Sequence, residues 1–198
     1  MIPSHQLKRL KRALRREIRG LRDGMPLQER TRKSAAIADR LMSLPEVRDA
    51  RTVMAFASFG SEVETAGILE RLDAAGTRVA LPRIVEGEIV PVAFRPGDEV
   101  TAAGLGAPEP LDGAVVPEAE IDVIVTPGLA FDDHGFRTGY GGGYYDRFFR
   151  RARADAFRVG ICFSLQRVPE VPHGAMDLPV DAVVTEDEVV RTAARFER

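Results

Sequence analysis

The 198-residue chain is long enough to bury a sizeable core, and its 44% apolar and 29% charged residues are ordinary for a soluble globular protein. No stretch approaches the ~20 consecutive apolar residues of a membrane span, and no apolar signal segment is visible near the N-terminus, so we expect no membrane partner. The net charge of −2 hides an asymmetry, because residues 1–22 carry +7 and the rest of the chain carries −9.

The basic N-terminal segment has the pattern of an amphipathic helix over residues 4–22. Its apolar residues are spaced by three or four positions, as Leu7, Leu10, Leu14, Ile18 and Leu21. Eight basic residues share this segment with Glu17 alone, so an anionic partner is expected. Nucleic acid is one candidate partner, and a small phosphorylated ligand is another. A second helix is predicted over residues 27–43, before the breaker sequence LPEV.

From residue 51 onward, predicted strands and helices alternate. Strands are expected at TVMAFASF, TRVALP, EIVPVAF, IDVIVTP, FRVGICF and DAVVTE, and helices at ETAGILERLDAAG and YYDRFFRRARA. Residues 95–120 are rich in Gly, Pro, Asp and Glu and are expected to form an extended loop. This alternation predicts an α/β protein, a three-layer Rossmann-like fold with a mainly parallel central sheet. We expect one domain over residues 1–198, with helix 1–22 packed on it.

A glycine-rich loop follows the predicted strand at 121–126 and precedes a predicted helix. In the segment PGLAFDDHGFRTGYGGGYYDR, glycine occupies positions 135, 139, 141, 142 and 143. Such a loop can direct consecutive N–H groups at an anion, aided by the helix dipole. It matches neither the Walker A loop nor G-x-G-x-x-G, so a flexible surface turn remains the alternative on composition alone.

The residues that flank the glycines favour a binding site over a flexible turn. Tyr140, Tyr144 and Tyr145 are all the tyrosines of the chain, and tyrosine offers a face for stacking and a hydroxyl for hydrogen bonding. Asp146 is a hard oxygen donor of the kind that binds Mg²⁺ beside phosphates, or else an ordinary acid in a first helical turn. Arg137 is the nearest upstream cation, or else a solvated loop charge.

At this point the residues resemble a known family, the 5-formyltetrahydrofolate cyclo-ligases. The segment PGLAFDDHGFRTGYGGGYYDRFF is similar to the signature of that family. Four weaker matches follow the family's order along residues 8–187, namely LKRALRREIR, FASFGSEVET, APEP and MDLPVDAVVTE. The resemblance implies conversion of 5-formyltetrahydrofolate to 5,10-methenyltetrahydrofolate, with ATP as co-substrate and Mg²⁺ as cofactor.

The resemblance also implies site residues, position by position. It implies that ATP contacts Lys11, Arg12, Ala13, Leu14, Arg15, Arg137, Thr138, Gly139, Tyr140, Gly141, Gly142, Gly143, Tyr144 and Tyr145. It implies that the folate contacts Ala57, Glu62, Tyr140, Gly141, Gly142, Gly143 and Tyr144. Asp146 and Asp177 would bind Mg²⁺, and Arg137 and Tyr140 would act in catalysis. In the implied route, the formyl oxygen is phosphorylated, N10 attacks the formyl carbon, and phosphate leaves.

The residue types suit these tasks, although each has a plainer alternative. Lys11 and Arg15 are four residues apart, and we expect them on a helix face opposite much of the leucine stripe, where they would bind phosphate or be solvated. Glu62 would accept hydrogen bonds from pterin N–H groups or be a helix N-terminal acid. Asp177 in GAMDLP would bind metal or form a turn.

Other polar residues are expected to be structural. His134 and Asp132 belong to the turn sequence DDHG, and His5 and His173 are isolated and expected to be solvated. Cys162, the only cysteine, lies in an apolar run and is expected in the core, which excludes an internal disulfide and favours a reducing, cytoplasmic location.

Three functions are therefore considered for the chain. The first is the MgATP-dependent cyclo-ligase, as a monomer or weak homodimer that binds no nucleic acid. The second is a folate or nucleotide binder without turnover, which would not need Arg137, Tyr140 and Asp146 together. The third is nucleic-acid binding by the basic segment, which the acidic remainder of the chain disfavours.

Overall fold

A seven-stranded sheet forms the centre of the computed structural model, which describes residues 3–103 and 106–192. The helices are α1 (Ser4–Asp23), α2 (Leu27–Ser43), α3 (Pro45–Arg48), α4 (Ala66–Ala74) and α5 (Tyr144–Arg151). The strands are β1 (Thr52–Met54), β2 (Arg78–Val85), β3 (Glu88–Ala93), β4 (Val100–Ala103), β5 (Ala107–Pro110), β6 (Val123–Thr126), β7 (Ala130–Phe131), β8 (Arg137–Thr138), β9 (Phe157–Ile161), β10 (Ala182–Val184) and β11 (Val189–Arg191). Short 3₁₀ turns occupy Glu118–Glu120 and Ser164–Gln166.

The central sheet is mainly parallel. Its strand order is β11-β10-β9-β6-β1-β2-β3. The five inner strands pair in parallel, while β3 and β11 pair antiparallel with β2 and β10 at the two edges. Inner strands buried on both faces explain the continuous apolar runs such as VIVT and AVV. The predicted α/β class with a mainly parallel sheet is confirmed.

Alternate residues of the inner strands pack into two separate cores, one on each face of the sheet. Val53, Val123 and Val184 face the first core, which α2 and α4 cover. Met54 and Ile124 face the second core, which α5 covers with Phe148 and Phe149. Two helical layers around one sheet make the three-layer arrangement that the sequence predicted. The sheet thereby supports the loops that follow its strands.

Three segments differ from the expectation. Residues 95–120 are not an extended loop, because β4 and β5 pair antiparallel within them. The strand expected at TVMAFASF ends at Met54, and residues 55–59 run on without regular structure. A further hairpin, β7–β8, also intervenes between β6 and the glycine loop, so the loop does not follow β6 directly. The two hairpins lie outside the central sheet, and strands this short give little periodic signal in the sequence.

Within the described residues, no helix is both long and apolar enough to cross a membrane. The expectation of one domain over 1–198 includes residues 1–2, 104–105 and 193–198, which lie outside the part of the chain that is described. Helix α1 packs against the β7–β8 hairpin and the segment near Val171 through a third apolar cluster, in which Ile18 meets Ala130 and Val171.

Candidate active site

A cavity of about 470 Å³ opens at the carboxyl ends of the parallel strands. Ala57 follows β1 and Pro127 follows β6, and both line it, as does Ile84 in the second half of β2. Helix α1, the glycine loop and β5 complete the walls. Ligands bind at this edge of open α/β sheets, and the volume lies within the usual range of ligand pockets.

Most of the residues implied by the resemblance line this cavity. They are Lys11, Arg15, Ala57, Glu62, Arg137, Thr138, Gly139, Tyr140, Gly141, Gly142, Gly143, Tyr144, Tyr145, Asp146 and Asp177. Arg12, Ala13 and Leu14 do not line it. Arg12 and Ala13 are exposed, and Leu14 packs beside Ile18 instead. The cavity therefore unites segments that lie far apart in the sequence.

The sequence predicts that the cationic face of α1 lies opposite much of the leucine stripe. In the structure the two faces overlap instead. Lys11 and Arg15 point into the cavity from the same side as the buried Ile18. Two leucines of the stripe are largely exposed instead, with relative exposures of 36% for Leu10 and 55% for Leu21. The packed face of α1 is therefore partly made of basic side chains that meet acceptors on the body of the protein.

The glycine loop lines the cavity, and its backbone N–H groups are not used in hydrogen bonds within the described chain. Within residues 3–103 and 106–192, no hydrogen-bond acceptor is found for the N–H groups of residues 139–143. Gly141 and Gly143 have φ of 112° and 65°, a left-handed geometry that few other residues adopt. A Cβ on Gly142 would lie 2.3 Å from the Tyr144 ring. These features suit an anion-binding nest at the N-terminus of α5.

Two arginines hold the glycine loop in place. Arg15 Nε donates to the Gly139 carbonyl at 2.7 Å. Arg147 Nη1 donates to the Gly142 carbonyl at 2.8 Å, and its Nη2 donates to the Gly87 carbonyl at 2.7 Å. The two arginines thus fix the carbonyls of Gly139 and Gly142. The flexible-turn alternative does not fit this anchoring.

Arg137 lies beneath the loop and is almost fully buried. Its Nη1 donates to the Leu178 carbonyl at 2.7 Å and its Nη2 to Asp146 Oδ1 at 3.2 Å. Its guanidinium carbon stacks 4.6 Å from the centre of the Phe149 ring. Burial lowers the pKa of Arg137 from its ordinary value, and the charge of Asp146 opposes that effect. Arg137 is therefore not a solvated loop charge but a fixed cation in the cavity wall.

The two carboxylates implied as metal ligands both border the cavity, and both already have protein partners. Asp146 Oδ1 accepts from Arg137 and from the Leu178 N–H at 3.0 Å. Asp177 Oδ1 accepts from Lys11 Nζ at 2.6 Å, and its Oδ2 accepts from the Gly174 N–H at 2.7 Å. The turn-forming role of Asp177 is thus present, together with a link to α1.

The donor set fits Mg²⁺ held jointly with phosphates. Among the residues that the structure describes, no three His, Cys, Asp or Glu side chains cluster as a complete metal site. Mg²⁺ beside a nucleotide needs only one or two carboxylates, because phosphate oxygens and water supply the other ligands. Asp146 and Asp177, on the wall that also carries the glycine loop, meet that requirement.

At another part of the wall, a buried hydrogen-bond chain surrounds Glu62. Tyr140 Oη donates to Glu62 Oε1 at 2.8 Å, and the Phe59 N–H donates to Glu62 Oε2 at 3.1 Å. Burial raises the pKa of Glu62, and the hydrogen bonds from Tyr140 and Phe59 oppose the rise. Burial and the Glu62 charge raise the pKa of Tyr140 to about 12, so its hydroxyl keeps its proton at neutral pH. Arg22 Nη2 donates to Tyr140 Oη at 2.9 Å.

Two buried hydroxyl groups in the cavity wall lack a hydrogen-bond partner within the described chain. They are Thr138 Oγ1 and Tyr145 Oη. Burial raises the pKa of Tyr145, which therefore stays protonated. A buried hydroxyl without a partner costs free energy, so such groups in a cavity indicate a ligand or water that completes them.

Several residues of the wall were not anticipated. They are Lys8, Phe56, Phe59, Pro82, Ile84, Ile89, Ala107, Pro108, Glu109 and Pro127. Glu109 is the only acid among them; it is buried, and its Oε2 accepts from the Ile84 N–H at 3.0 Å. It belongs to APEP, a segment that the sequence comparison noted without assigning a role. Most of the others are apolar and carry no chemical signature.

The residues set aside in the sequence analysis are indeed structural or exposed. Asp132 accepts from the N–H groups of His134 and Phe136 and so forms the turn of β7–β8. Cys162 is fully buried, and burial raises its pKa. His173 is exposed but stacks on Phe136, with ring centres 3.6 Å apart. His5 is exposed.

Comparison with known proteins gives a consistent result. Residues 7–186 match the model of the 5-formyltetrahydrofolate cyclo-ligase family. The chain is 35% identical over 178 residues to 5-formyltetrahydrofolate cyclo-ligase of Escherichia coli strain K12, covering 87% of this chain and 98% of that protein. Its fold is similar to an NMR structure of Aquifex aeolicus 5,10-methenyltetrahydrofolate synthetase, with a TM-score of 0.81 and 32% identity over 92% of both chains. The Mycoplasma pneumoniae synthetase shares the fold, with a TM-score of 0.74 and 21% identity over 89% of this chain and 98% of that one.

Proposed function

Since the chain belongs to the 5-formyltetrahydrofolate cyclo-ligase family, we propose that it converts 5-formyltetrahydrofolate to 5,10-methenyltetrahydrofolate with consumption of MgATP. One observation carries the proposal. The glycine loop at residues 139–143, with N–H groups that have no acceptor in the described chain, and a buried carboxylate, Glu62, line the same cavity, and Tyr140 joins them. A reaction that transfers a phosphoryl group to a bound folate needs this adjacency.

The ATP phosphates are assigned to the glycine loop and α1. Free N–H groups at 139–143 suit the β- and γ-phosphates, while Lys11 and Arg15 supply positive charge from the facing helix. Burial lowers the pKa of Arg15, but an arginine remains charged in proteins. Arg12, Ala13 and Leu14 are left out of this contact set, because none of them lines the cavity.

Mg²⁺ is assigned to Asp146 and Asp177, with phosphate oxygens as further ligands. When bound, the ion would neutralise charge on the phosphates during transfer. The protein's part is to hold two carboxylates at the edge of the nest. Leu178 and Arg137 fix the first carboxylate, and Gly174 fixes the second.

The folate is assigned to the part of the cavity around Glu62. The Glu62 carboxylate is a buried acceptor that suits the N–H groups of a pterin. Apolar wall residues, among them Phe56, Phe59 and Ile84, suit the flat ring system. Ala57 and Tyr140 would contact the same ligand, as the resemblance implies.

In the proposed reaction, the formyl oxygen attacks the γ-phosphorus and ADP leaves. The resulting iminium phosphate carries a good leaving group on the former formyl carbon. N10 then attacks that carbon, loses its proton and closes the five-membered ring as inorganic phosphate departs with the formyl oxygen. Arg137 would stabilise the charge on the transferred phosphoryl group, and Tyr140 would orient the two substrates against each other.

The basic N-terminal segment serves this site in our proposal rather than nucleic acid. Lys11, Arg15 and Arg22 all turn towards the body of the protein and contact it there. A monomer or weak homodimer remains part of this proposal. The buried Cys162 is compatible with a reducing, cytoplasmic location.

An isotope experiment tests the proposed route. The protein is incubated with ATP, Mg²⁺ and 5-formyltetrahydrofolate labelled with ¹⁸O in the formyl group. We expect the label in inorganic phosphate, in equimolar amount with ADP. Label in water with unlabelled phosphate would show that the formyl oxygen was never phosphorylated, and would overturn the mechanism.

A further inference from the structure

Arg22, at the end of α1, is a buried cation that no role so far explains. Its relative exposure is 4%, and it does not line the main cavity. Its Nε donates to Ser61 Oγ at 3.0 Å, and its Nη2 donates to Tyr140 Oη at 2.9 Å. Ser61 in turn donates to Asp23, the next residue of α1. Burying an arginine costs folding free energy unless hydrogen-bond partners replace the lost water. The Arg22 side chain is therefore held to these partners.

The direction of the hydrogen bonds gives Arg22 control over Tyr140. A guanidinium can only donate, so the Tyr140 oxygen must accept from Arg22. The single hydroxyl hydrogen of Tyr140 is then free to point at Glu62 Oε1, 2.8 Å away. The Phe59 N–H holds the other oxygen of Glu62 at 3.1 Å. Both oxygens of the carboxylate are thereby fixed in the cavity wall.

We propose that Arg22 is a positioning residue for binding of the folate substrate. Arg22 acts through Tyr140, whose hydroxyl orients the Glu62 carboxylate. This inference rests on the proposed function of Glu62. Arg22 touches neither substrate in this account. It joins α1, which carries the phosphate-binding cations, to the glycine loop through Tyr140 and to the segment that carries Glu62 through Ser61.

Electrostatics support the same role. Burial raises the pKa of Glu62, whereas the positive charge of Arg22 lowers it. The titratable groups that face Glu62 are Arg22 from α1, Tyr140 from the glycine loop and Tyr145 from α5. The two tyrosines are neutral at physiological pH, since burial raises the pKa of each. Arg19 lies near this group of side chains, with its guanidinium carbon 5.3 Å from the centre of the Tyr140 ring. Arg22 is therefore the cation whose removal would make Glu62 easier to protonate.

The test compares Arg22→Met, Arg22→Lys and the matched control Arg16→Met, which removes an exposed arginine from the same helix. Binding of 5-formyltetrahydrofolate is measured by titration calorimetry without ATP, across the pH range in which Glu62 ionises. Steady-state KM is measured for both substrates. Calorimetry measures folate binding without turnover. If the wild type binds the folate but does not convert it, the proposed function is refuted, and the binding data for the Arg22 variants still decide the Arg22 inference.

For Arg22→Met we expect roughly tenfold weaker folate binding, a typical loss when a hydrogen bond to a charged group is removed. The KM for ATP should stay within about twofold of wild type. The pH below which folate binding fails should rise, because Glu62 loses the nearby positive charge. Arg22→Lys keeps that charge and should restore the pH profile while recovering only part of the affinity. Arg16→Met should match wild type.

A double-mutant cycle with Tyr140→Phe separates positioning from general loss of structure. If Arg22 acts through the Tyr140 hydroxyl, Arg22→Met should weaken folate binding much less when Tyr140 is already phenylalanine. Additive losses would overturn the inference, as would an equal loss of ATP and folate affinity. An unchanged pH profile in Arg22→Met would also overturn it. If Arg22→Met does not fold, the partial affinity and wild-type pH profile expected of Arg22→Lys decide the question.

Discussion

Lys11 Nζ lies 2.6 Å from Asp177 Oδ1, so a cation assigned to ATP is paired with a carboxylate assigned to the metal. Both side chains are about 15% exposed, in the wall of one cavity. The contact pairs opposite charges within the cavity wall. In our account MgATP substitutes for this contact, with a phosphate oxygen for Lys11 and Mg²⁺ for Asp177.

Lys11→Ala should raise the KM for ATP roughly tenfold and that for 5-formyltetrahydrofolate much less, because the lysine would contact phosphate alone. Steady-state kinetics with each substrate varied in turn measure this difference. Arg9→Ala is the matched control, since Arg9 is an exposed cation on the same helix. A larger effect on the folate than on ATP would mean that α1 faces the other ligand.

Asp146→Asn and Asp146→Ala should separate metal binding from structure. Asparagine keeps an oxygen that accepts from Leu178 and Arg137 but removes the charge beside the buried Arg137, so Asp146→Asn should lose less stability than Asp146→Ala and yet require much more Mg²⁺. Alanine leaves the buried Arg137 with one partner fewer, which should cost about 1–3 kcal/mol of unfolding free energy. Mg²⁺ titrations of activity and thermal melts provide the two readouts. Wild-type Mg²⁺ dependence in Asp146→Asn would refute the metal role.

The glycine loop should tolerate an added methyl group at Gly142 far less well than at Gly139. At Gly142 a Cβ would lie 2.3 Å from the Tyr144 ring, whereas at Gly139 it would meet nothing within 4 Å. We expect Gly142→Ala to lower kcat/KM for ATP by about tenfold or more, because Tyr144 must move. Gly139→Ala should lose considerably less. Equal losses would indicate that the loop adapts freely and is not held in one conformation.

The buried Glu62 should make stability depend on pH in a defined direction. Burial raises its pKa in the folded state, so ionising it costs folding free energy. The wild type should lose stability relative to Glu62→Gln as pH rises from the ordinary glutamate pKa through the raised folded pKa. Thermal melts of both proteins between about pH 4 and pH 8 measure the difference. A difference that stays constant or changes in the opposite direction would contradict the raised pKa.

The sequence predicted the inner strands well, because parallel strands buried on both faces are continuous apolar runs. It did not predict the hairpin of β4 and β5, since the APEP segment is rich in proline and pairs only locally. It predicted the position of helix α1 in the chain correctly, but not which face of the helix is buried. Leu21 and Arg22 are adjacent, and the structure exposes the leucine and buries the arginine. Only long-range partners, Ser61 and Tyr140, explain that choice.

For the site, the residue types of the glycine loop predict an anion-binding loop, and the structure places that loop in the cavity wall. The cavity brings fifteen of the implied residues together, and three residues of α1 lie outside it. The resemblance assigned the whole run from Lys11 to Arg15 to ATP, whereas the helical spacing that puts Lys11 and Arg15 on one face puts Arg12 on another. Wall residues such as Phe59 and Ile84 were missed because apolar side chains look alike in a core and in a pocket.

The most direct test of the central claim mixes the protein with 5-formyltetrahydrofolate and MgATP and follows the absorbance of 5,10-methenyltetrahydrofolate. We predict that the product forms with one ADP and one phosphate each, and that it does not form when ATP or Mg²⁺ is omitted. Binding of 5-formyltetrahydrofolate and MgATP without formation of the methenyl product would contradict the account and leave a folate binder without turnover.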